Sequence, residues 1–260
     1  MKPVTIGRDY NGNEVRLDFG THLLIAGQSG SGKSVMLNTI ITQIYASDPT
    51  AQFYLFDMKY VELIRYRFLC PVCCDLRRML ARMRNLNDHM MKRYIECVDA
   101  GEVEYKKNPI YVVIDEYADI TSRSLPEERK LGKEIQAEVE RMARMGRACN
   151  MHLIICTQYP VASVCSTTIR QQCSVKLCMK CNNSTGYQVV LGHQPHSKPD
   201  QGRGQCVMQR EDETEILFQG TFTSNEYVKA FVDRYKEYLP QWYKEELAKT
   251  NDIKKLMGRR

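Results

Sequence analysis

Short apolar runs alternate along this chain with longer stretches in which apolar residues return every three or four positions. His22-Leu23-Leu24-Ile25-Ala26, Phe53-Tyr54-Leu55-Phe56-Asp57, Ile110-Tyr111-Val112-Val113-Ile114, Leu153-Ile154-Ile155-Cys156-Thr157 and Val175–Met179 read as strands. Ile110–Ile114 is apolar and largely β-branched throughout, as expected of a strand buried on both faces. From Lys33 onward, Leu37, Ile40, Ile41 and Ile44 recur at helical spacing. So do Leu76, Met79, Leu80, Met83, Leu86, Met90 and Tyr94, and then Leu131, Ile135, Val139 and Met142. Ser124-Leu125-Pro126-Glu127 reads as a capping box opening that last helix. Ile6–Leu17 reads as a β-hairpin turning at Asn11-Gly12. Cys206–Gln209 and Glu215–Phe218 read as strands, followed by a helix from Ser224 to Leu239. Strands alternating with helices predict an α/β fold: a mainly parallel central sheet covered on both sides, with a small N-terminal hairpin and a C-terminal helix.

Composition changes this picture little. The 260 residues are 43% hydrophobic and 26% charged, ordinary values for a globular protein. One domain over residues 1–240 is expected, followed by a basic tail over 241–260. No apolar stretch approaches the roughly 18 residues that span a bilayer. The expectation is therefore a cytoplasmic protein, held at a membrane only through a partner. The net charge of +6 permits a polyanionic partner without requiring one. Arg77, Arg78, Arg82 and Arg84 suit a solvated helix face or a nucleic-acid surface, and Lys254, Lys255, Arg259 and Arg260 suit a frayed tail. The eleven cysteines read as reduced thiols. Cys70/Cys73 (with Cys74) and Cys178/Cys181 have the spacing of zinc pairs, but residues three apart on a strand face opposite sides, so buried thiols are expected.

The candidate chemistry begins where the first parallel strand ends. Gly27, Gln28, Ser29, Gly30, Ser31, Gly32, Lys33 and Ser34 satisfy G-x-x-x-x-G-K-[ST], with Val35 following. The glycines let successive backbone N–H groups wrap a phosphate, and the helix from Lys33 adds its positive dipole end. Lys33 is expected on the β- and γ-phosphates of ATP, and Ser34 on Mg²⁺. Asp115-Glu116, directly after Ile110–Ile114, supplies the opposing acids. Asp115 is expected to hold Mg²⁺ through water and Glu116 to polarise the attacking water. Gln158, at the tip of Leu153–Thr157, is expected to sense the γ-phosphate.

With these residues in place the chain resembles the FtsK/SpoIIIE family of hexameric DNA translocases, over about Ile6 to Leu239. His22–Val35 is similar to the family's Walker A region and Val113–Asp119 to its Walker B run. Phe56-Asp57-Met58-Lys59 resembles its Asp-Pro-Lys segment, with Met58 replacing proline. Gly146–Leu153, Cys156–Pro160 and Phe222–Val228 resemble three further ordered motifs, with Asn150 in place of glycine and Tyr159 in place of arginine. The resemblance implies a RecA-like P-loop NTPase of the ASCE type, assembled as a homo-oligomeric, hexameric ring around double-stranded DNA. It implies Arg147 as a finger reaching the neighbouring subunit's γ-phosphate, with Arg144 as the alternative. It implies a DNA-facing loop at Val161–Arg170, with Arg170, Lys176 and Lys180 as contacts. A short form, without the family's membrane anchor or DNA-sequence reader, is expected to serve conjugative transfer or segregation of a mobile element. Its partners would then include membrane-associated transfer or division machinery. The alternatives are a protein-export motor of the type VII secretion kind and a non-translocating ATP-binding scaffold.

Overall fold

Leu23, Leu24, Ile25 and Ala26 are all buried, yet they serve two different cores. Leu23 and Ile25 face one and Leu24 and Ala26 the other, because successive strand residues point to opposite faces. The computed structural model describes residues 3–199, 202–239 and 243–244. In chain order the elements are β1 (Val4–Asp9), β2 (Glu14–Leu17), β3 (Leu23–Ala26), α1 (Lys33–Ser47), β4 (Gln52–Phe56), β5 (Val72–Cys73), α2 (Leu76–Ala100) and β6 (Ile110–Ile114). They continue with α3 (Ala118–Thr121), α4 (Pro126–Met145), β7 (Met151–Thr157), α5 (Thr167–Gln172), β8 (Val175–Met179), α6 (Ser184–Leu191), β9 (Gln205–Gln209), β10 (Glu215–Gly220) and α7 (Asn225–Tyr235).

The ten strands form one sheet in the order β2-β1-β10-β9-β8-β3-β7-β6-β4-β5. From β8 to β5 every pairing is parallel. From β2 to β8 every pairing is antiparallel. The hairpin and the late strands thus extend the parallel block on the side of the P-loop strand. Helices α1 and α7 cover one face, where Leu37, Ile40 and Ile44 pack with Val228 and Phe231. Helices α2, α4, α5 and α6 cover the other, with Met79, Met83, Ile135, Val139, Ile169 and Val190 inward. The α/β fold with a mainly parallel sheet is as the periodicity implied.

Several local expectations are corrected. Helix α4 starts at Pro126, with Leu125 in extended geometry before it and no side-chain cap. Proline favours the first helical position because its φ is preset and its missing N–H would have no partner there. Glu127 is then one residue too early for a capping box, and the Ser124 carbonyl accepts from Arg129 instead. On α2 the inward stripe passes from Met90 to Arg93 and Cys97, leaving Tyr94 44% exposed. The hairpin loop is wider than a two-residue turn: the Asp9 carboxylate accepts from the amides of Asn11 and Asn13, and Gly12 has φ +85°. Val161–Arg170 is not all loop, since α5 begins at Thr167 on a Ser166 cap. Strand β5 and helix α6 were not anticipated. The basic tail lies outside the described residues except for 243–244.

Strand β8 ends at Met179, the chain turns, and the thiols of Cys178 and Cys181 come to 3.8 Å instead of facing opposite sides. Among the described residues no group of three or more His, Cys, Asp or Glu side chains is arranged to hold a metal.

Candidate nucleotide site

Strands β3, β6, β7 and β8 end together, with Ala26 level with Thr157 and Cys178, and Ile114 level with Ile155. Loops leaving such an edge are where ligands meet an open α/β sheet. The loop after β3 is pinned from both neighbours. Gly27 N–H donates to the Thr157 carbonyl at 3.2 Å and Gln28 N–H to the Lys180 carbonyl at 2.8 Å. Gly32 has φ +105°, and a Cβ there would come within 2.9 Å of the Gly204 nitrogen, so the loop needs glycine for backbone angle and for space. Helix α1 then begins at Lys33 with its first N–H groups lacking intrahelical partners.

A cleft of about 370 Å³ opens over this loop, lined by Gln28, Ser29, Gly30, Gly32, Lys33, Ser34 and Val35. Gly27 lies beneath it, packed on Ser31 and Met179, and Ser31 is buried with its carbonyl accepting from Gly204 N–H at 2.8 Å. Backbone donors, a helix N-terminus and an ammonium converging on one cleft make a polyphosphate site.

Asp115 follows β6 and is buried, and its Oδ1 has no hydrogen-bond partner. Burial pushes its pKa up to about 6; Lys33 opposes the rise, while Asp57, Glu62 and Glu116 add to it. A buried, unpartnered carboxylate oxygen is a hard donor suited to Mg²⁺. The residues therefore fit the ion: the Ser34 hydroxyl and Asp115 would hold it, and it would neutralise charge on the phosphates. Asp57 is fully buried too, but its carboxylate is satisfied. It accepts from the amides of Lys59, Val61, Glu62 and Leu63 at 2.9–3.1 Å, which shapes the loop that brings Glu62 to the cleft.

Glu116 takes a different position from that expected of a base facing the phosphates. Its Oε1 accepts from Thr157 Oγ1 at 2.9 Å and Gln158 N–H at 3.1 Å, and its Oε2 from the same N–H at 2.9 Å. Gln158 lines the cleft and Glu116 does not. The pair thus joins the cleft wall to the acid through the Gln158 backbone N–H.

Arg147 is remote from its own cleft. It sits on a 3-10 turn, Arg147–Cys149, and its Nη1 approaches Ser174 Oγ at 3.2 Å and Glu211 Oε1 at 3.5 Å. Arg144 lies 3.9 Å from Glu140. Arg147, Arg170 and Lys176 line one depression. Arg170 donates to Thr167 and Lys176 to Gln209 Oε1, and burial lowers the Lys176 pKa. Lys180 is elsewhere, lining a hollow with Ser29, Ser31 and Arg203 on the other side of the P-loop. One part of the cleft had no local sequence signal: Arg203, Gly204 and Gln219–Thr221 arrive from about 170 to 190 residues away, and Phe222, first residue of the Phe222–Val228 motif, arrives with them.

The profile of the FtsK/SpoIIIE family matches residues 2–104. The DNA translocase FtsK of Caldanaerobacter subterraneus subsp. tengcongensis is 30% identical, over 93% of this chain and 36% of its own length. The DNA translocase FtsK of Leptospira interrogans is 28% identical, over 90% of this chain and 27% of its own. The chain thus spans about a third or less of the curated relatives it matches. Among solved structures, the pCW3 conjugation coupling protein TcpA with ATPgS superposes with a TM-score of 0.78 at 24% identity, covering 89% of this chain and 70% of that one. EssC (ATPases 2 and 3) from Geobacillus thermodenitrificans superposes with a TM-score of 0.74 at 16% identity, covering 94% and 50%. Both of these are likenesses of fold. Motifs, fold and relatives together make the chain a P-loop ATPase domain similar to those of the FtsK/SpoIIIE family.

Proposed function

We propose that this chain hydrolyses ATP to move double-stranded DNA, as a homo-oligomeric, hexameric ring that acts in conjugative transfer or segregation of a mobile element. The observation that carries the chemistry is the buried, unpartnered Asp115 oxygen, close enough to feel the charge of Lys33 in the backbone phosphate cradle. Lys33 and the P-loop amides hold the phosphates, and Ser34 and Asp115 hold Mg²⁺. Glu116 directs a water at the γ-phosphate once Gln158 responds to that group. Arg147, remote from its own cleft, serves the next subunit's. The FtsK relatives and the TcpA likeness support the DNA substrate and the transfer role. Arg170 and Lys176 are the DNA contacts favoured by their shared depression, with Lys180 on the P-loop side.

Steady-state ATPase, measured with and without linear duplex DNA as protein concentration rises, tests substrate and assembly together. Turnover per subunit is expected to rise with both. Lys33→Ala and Glu116→Gln should each remove DNA-stimulated hydrolysis from a folded protein, and wild-type turnover in Glu116→Gln would refute its role. The fold shared with the type VII secretion ATPase EccC of Thermomonospora curvata favours a second reading, a protein-export motor that moves polypeptide. Absence of any stimulation by duplex DNA at low salt, where phosphate contacts are strongest, would select it.

A further inference from the structure

The cleft has a second wall that none of the phosphate chemistry uses. Its P-loop side is matched by Arg203, Gly204, Gln219, Gly220, Thr221 and Phe222. This wall is fixed to the first turns of α1. Thr39 Oγ1 donates to the Thr221 carbonyl at 3.0 Å and shares a 2.7 Å hydrogen bond with Thr223 Oγ1. Thr221 N–H donates to the Ile6 carbonyl and Gly220 N–H to the Gly204 carbonyl. With the residues on both sides of it tied down to α1, Phe222 is held outward. It is 78% exposed, a large aromatic ring left in water at the cleft's rim. A single exposed apolar side chain is ordinary on a protein surface; what sets Phe222 apart is that its ring lines the cleft over the P-loop, where a flat ligand could cover it.

The occupant follows from the orientation of the cleft. Gln158 and the Lys33 ammonium, whose charge the buried Asp115 feels, mark the end that takes the terminal phosphate and the metal. The α1 N-terminus takes the rest of the phosphate chain, so the sugar and base extend the other way, along α1 toward Gly220–Phe222. Gly204 and Gly220 leave that floor without side chains: a Cβ on Gly220 would meet the Met36 methyl at 2.6 Å and one on Gly204 the Gln219 amide at 2.5 Å. We propose that Phe222 is the residue on which the nucleobase stacks, so that β10 and the segment after it form the base half of the nucleotide site. This rests on the P-loop reading above. Stacking uses the π-face that every base offers, and purines offer most of it. The site is therefore expected to favour purine over pyrimidine triphosphates and to discriminate little between adenine and guanine by this contact.

Calorimetric titration with Mg²⁺ present separates the base from the phosphates. ATP and inorganic tripolyphosphate are each titrated into wild type, Phe222→Ala and Phe222→Trp. Phe222→Ala should bind ATP about 5- to 150-fold more weakly, the range of an aromatic–base stack, while its affinity for tripolyphosphate stays at the wild-type value. Phe222→Trp should keep ATP affinity within about threefold of wild type. ATP affinity unchanged in Phe222→Ala would overturn the proposal. So would equal weakening of both ligands, since that would be a disturbed cleft and not a lost stack. If wild type bound neither ligand, the P-loop reading would fall with it.

Discussion

Asp115 is the residue at which folding and function pull apart. Its carboxyl titrates near the ordinary 3.8 when unfolded and at about 6 when folded without nucleotide. Below about pH 4 both states are protonated and the residue contributes nothing. Between about pH 4 and 6 the unfolded carboxyl has lost its proton while the folded one still holds it, so stability falls across that window by an amount on the order of 2–3 kcal/mol and stays level above it. Asp115→Asn should therefore raise the thermal midpoint of the nucleotide-free protein at neutral pH, and the gain should vanish near pH 4. The same substitution should abolish Mg²⁺-dependent hydrolysis. A midpoint difference independent of pH would mean that the carboxylate is not paying for its burial. The position of Asp115 at a strand tip was readable from the apolar run before it. The capture of Glu116 by Thr157 and Gln158 was not, because a glutamate's hydrogen-bond partners across a sheet depend on which strand lies next to its own.

Among the elements, α2 carries more than its apolar stripe suggests. Arg93 is buried, and its guanidinium donates to the carbonyls of Cys149, Asn150 and Asn108 at 2.8–3.2 Å while stacking on Tyr105 at 4.5 Å. It fastens α2 to the turn that carries Arg147 and to Asn150, whose left-handed backbone (φ 52°) closes that turn. Removing the guanidinium leaves the buried Cys149 carbonyl without its donor and loosens the Asn150 and Asn108 carbonyls, the first of which keeps Ile110 N–H, so Arg93→Met should cost about 1–3 kcal/mol in urea unfolding. A loss under about 0.5 kcal/mol would show that the turn holds itself. Helical periodicity placed Leu76 through Met90 inward correctly but chose Tyr94 over Arg93. A residue scale treats arginine as surface, whereas three converging carbonyls make it the better-satisfied residue inside. The caps of α5 and α6, Ser166 and Asn183, were present in the sequence. Each helix is eight residues or fewer, too short for periodicity to stand out.

At the scale of the whole molecule, the cleft and Arg147 lie apart on one chain, which makes the proposed ring separable into halves. Lys33→Ala disables a cleft and leaves its finger intact; Arg147→Ala does the reverse. Each variant alone should be nearly inactive, since a finger supplied by a neighbour is worth roughly 10³–10⁵ in rate. Mixed, they should regain part of the ATPase, because some boundaries then join an intact cleft to an intact finger. Activity of the mixture no greater than the sum of its parts would assign Arg147 to its own chain or to the surface.

What the sequence by itself determined is what each segment can report locally. Burial on one or both sides of an element writes a period into the side chains, and a phosphate loop writes its glycines and lysine into eight consecutive positions. The parallel strands, the long helices and the P-loop followed from those signals. Only the tertiary structure decided which segments meet: Phe222 and Gly204 beside the P-loop, Thr157 against Glu116, Lys180 apart from Arg170, and Cys178 beside Cys181. Those neighbours are set by strand order and by where chains turn after leaving the sheet. Sequence separation costs only loop entropy, which grows slowly with length, so no local window records the choice.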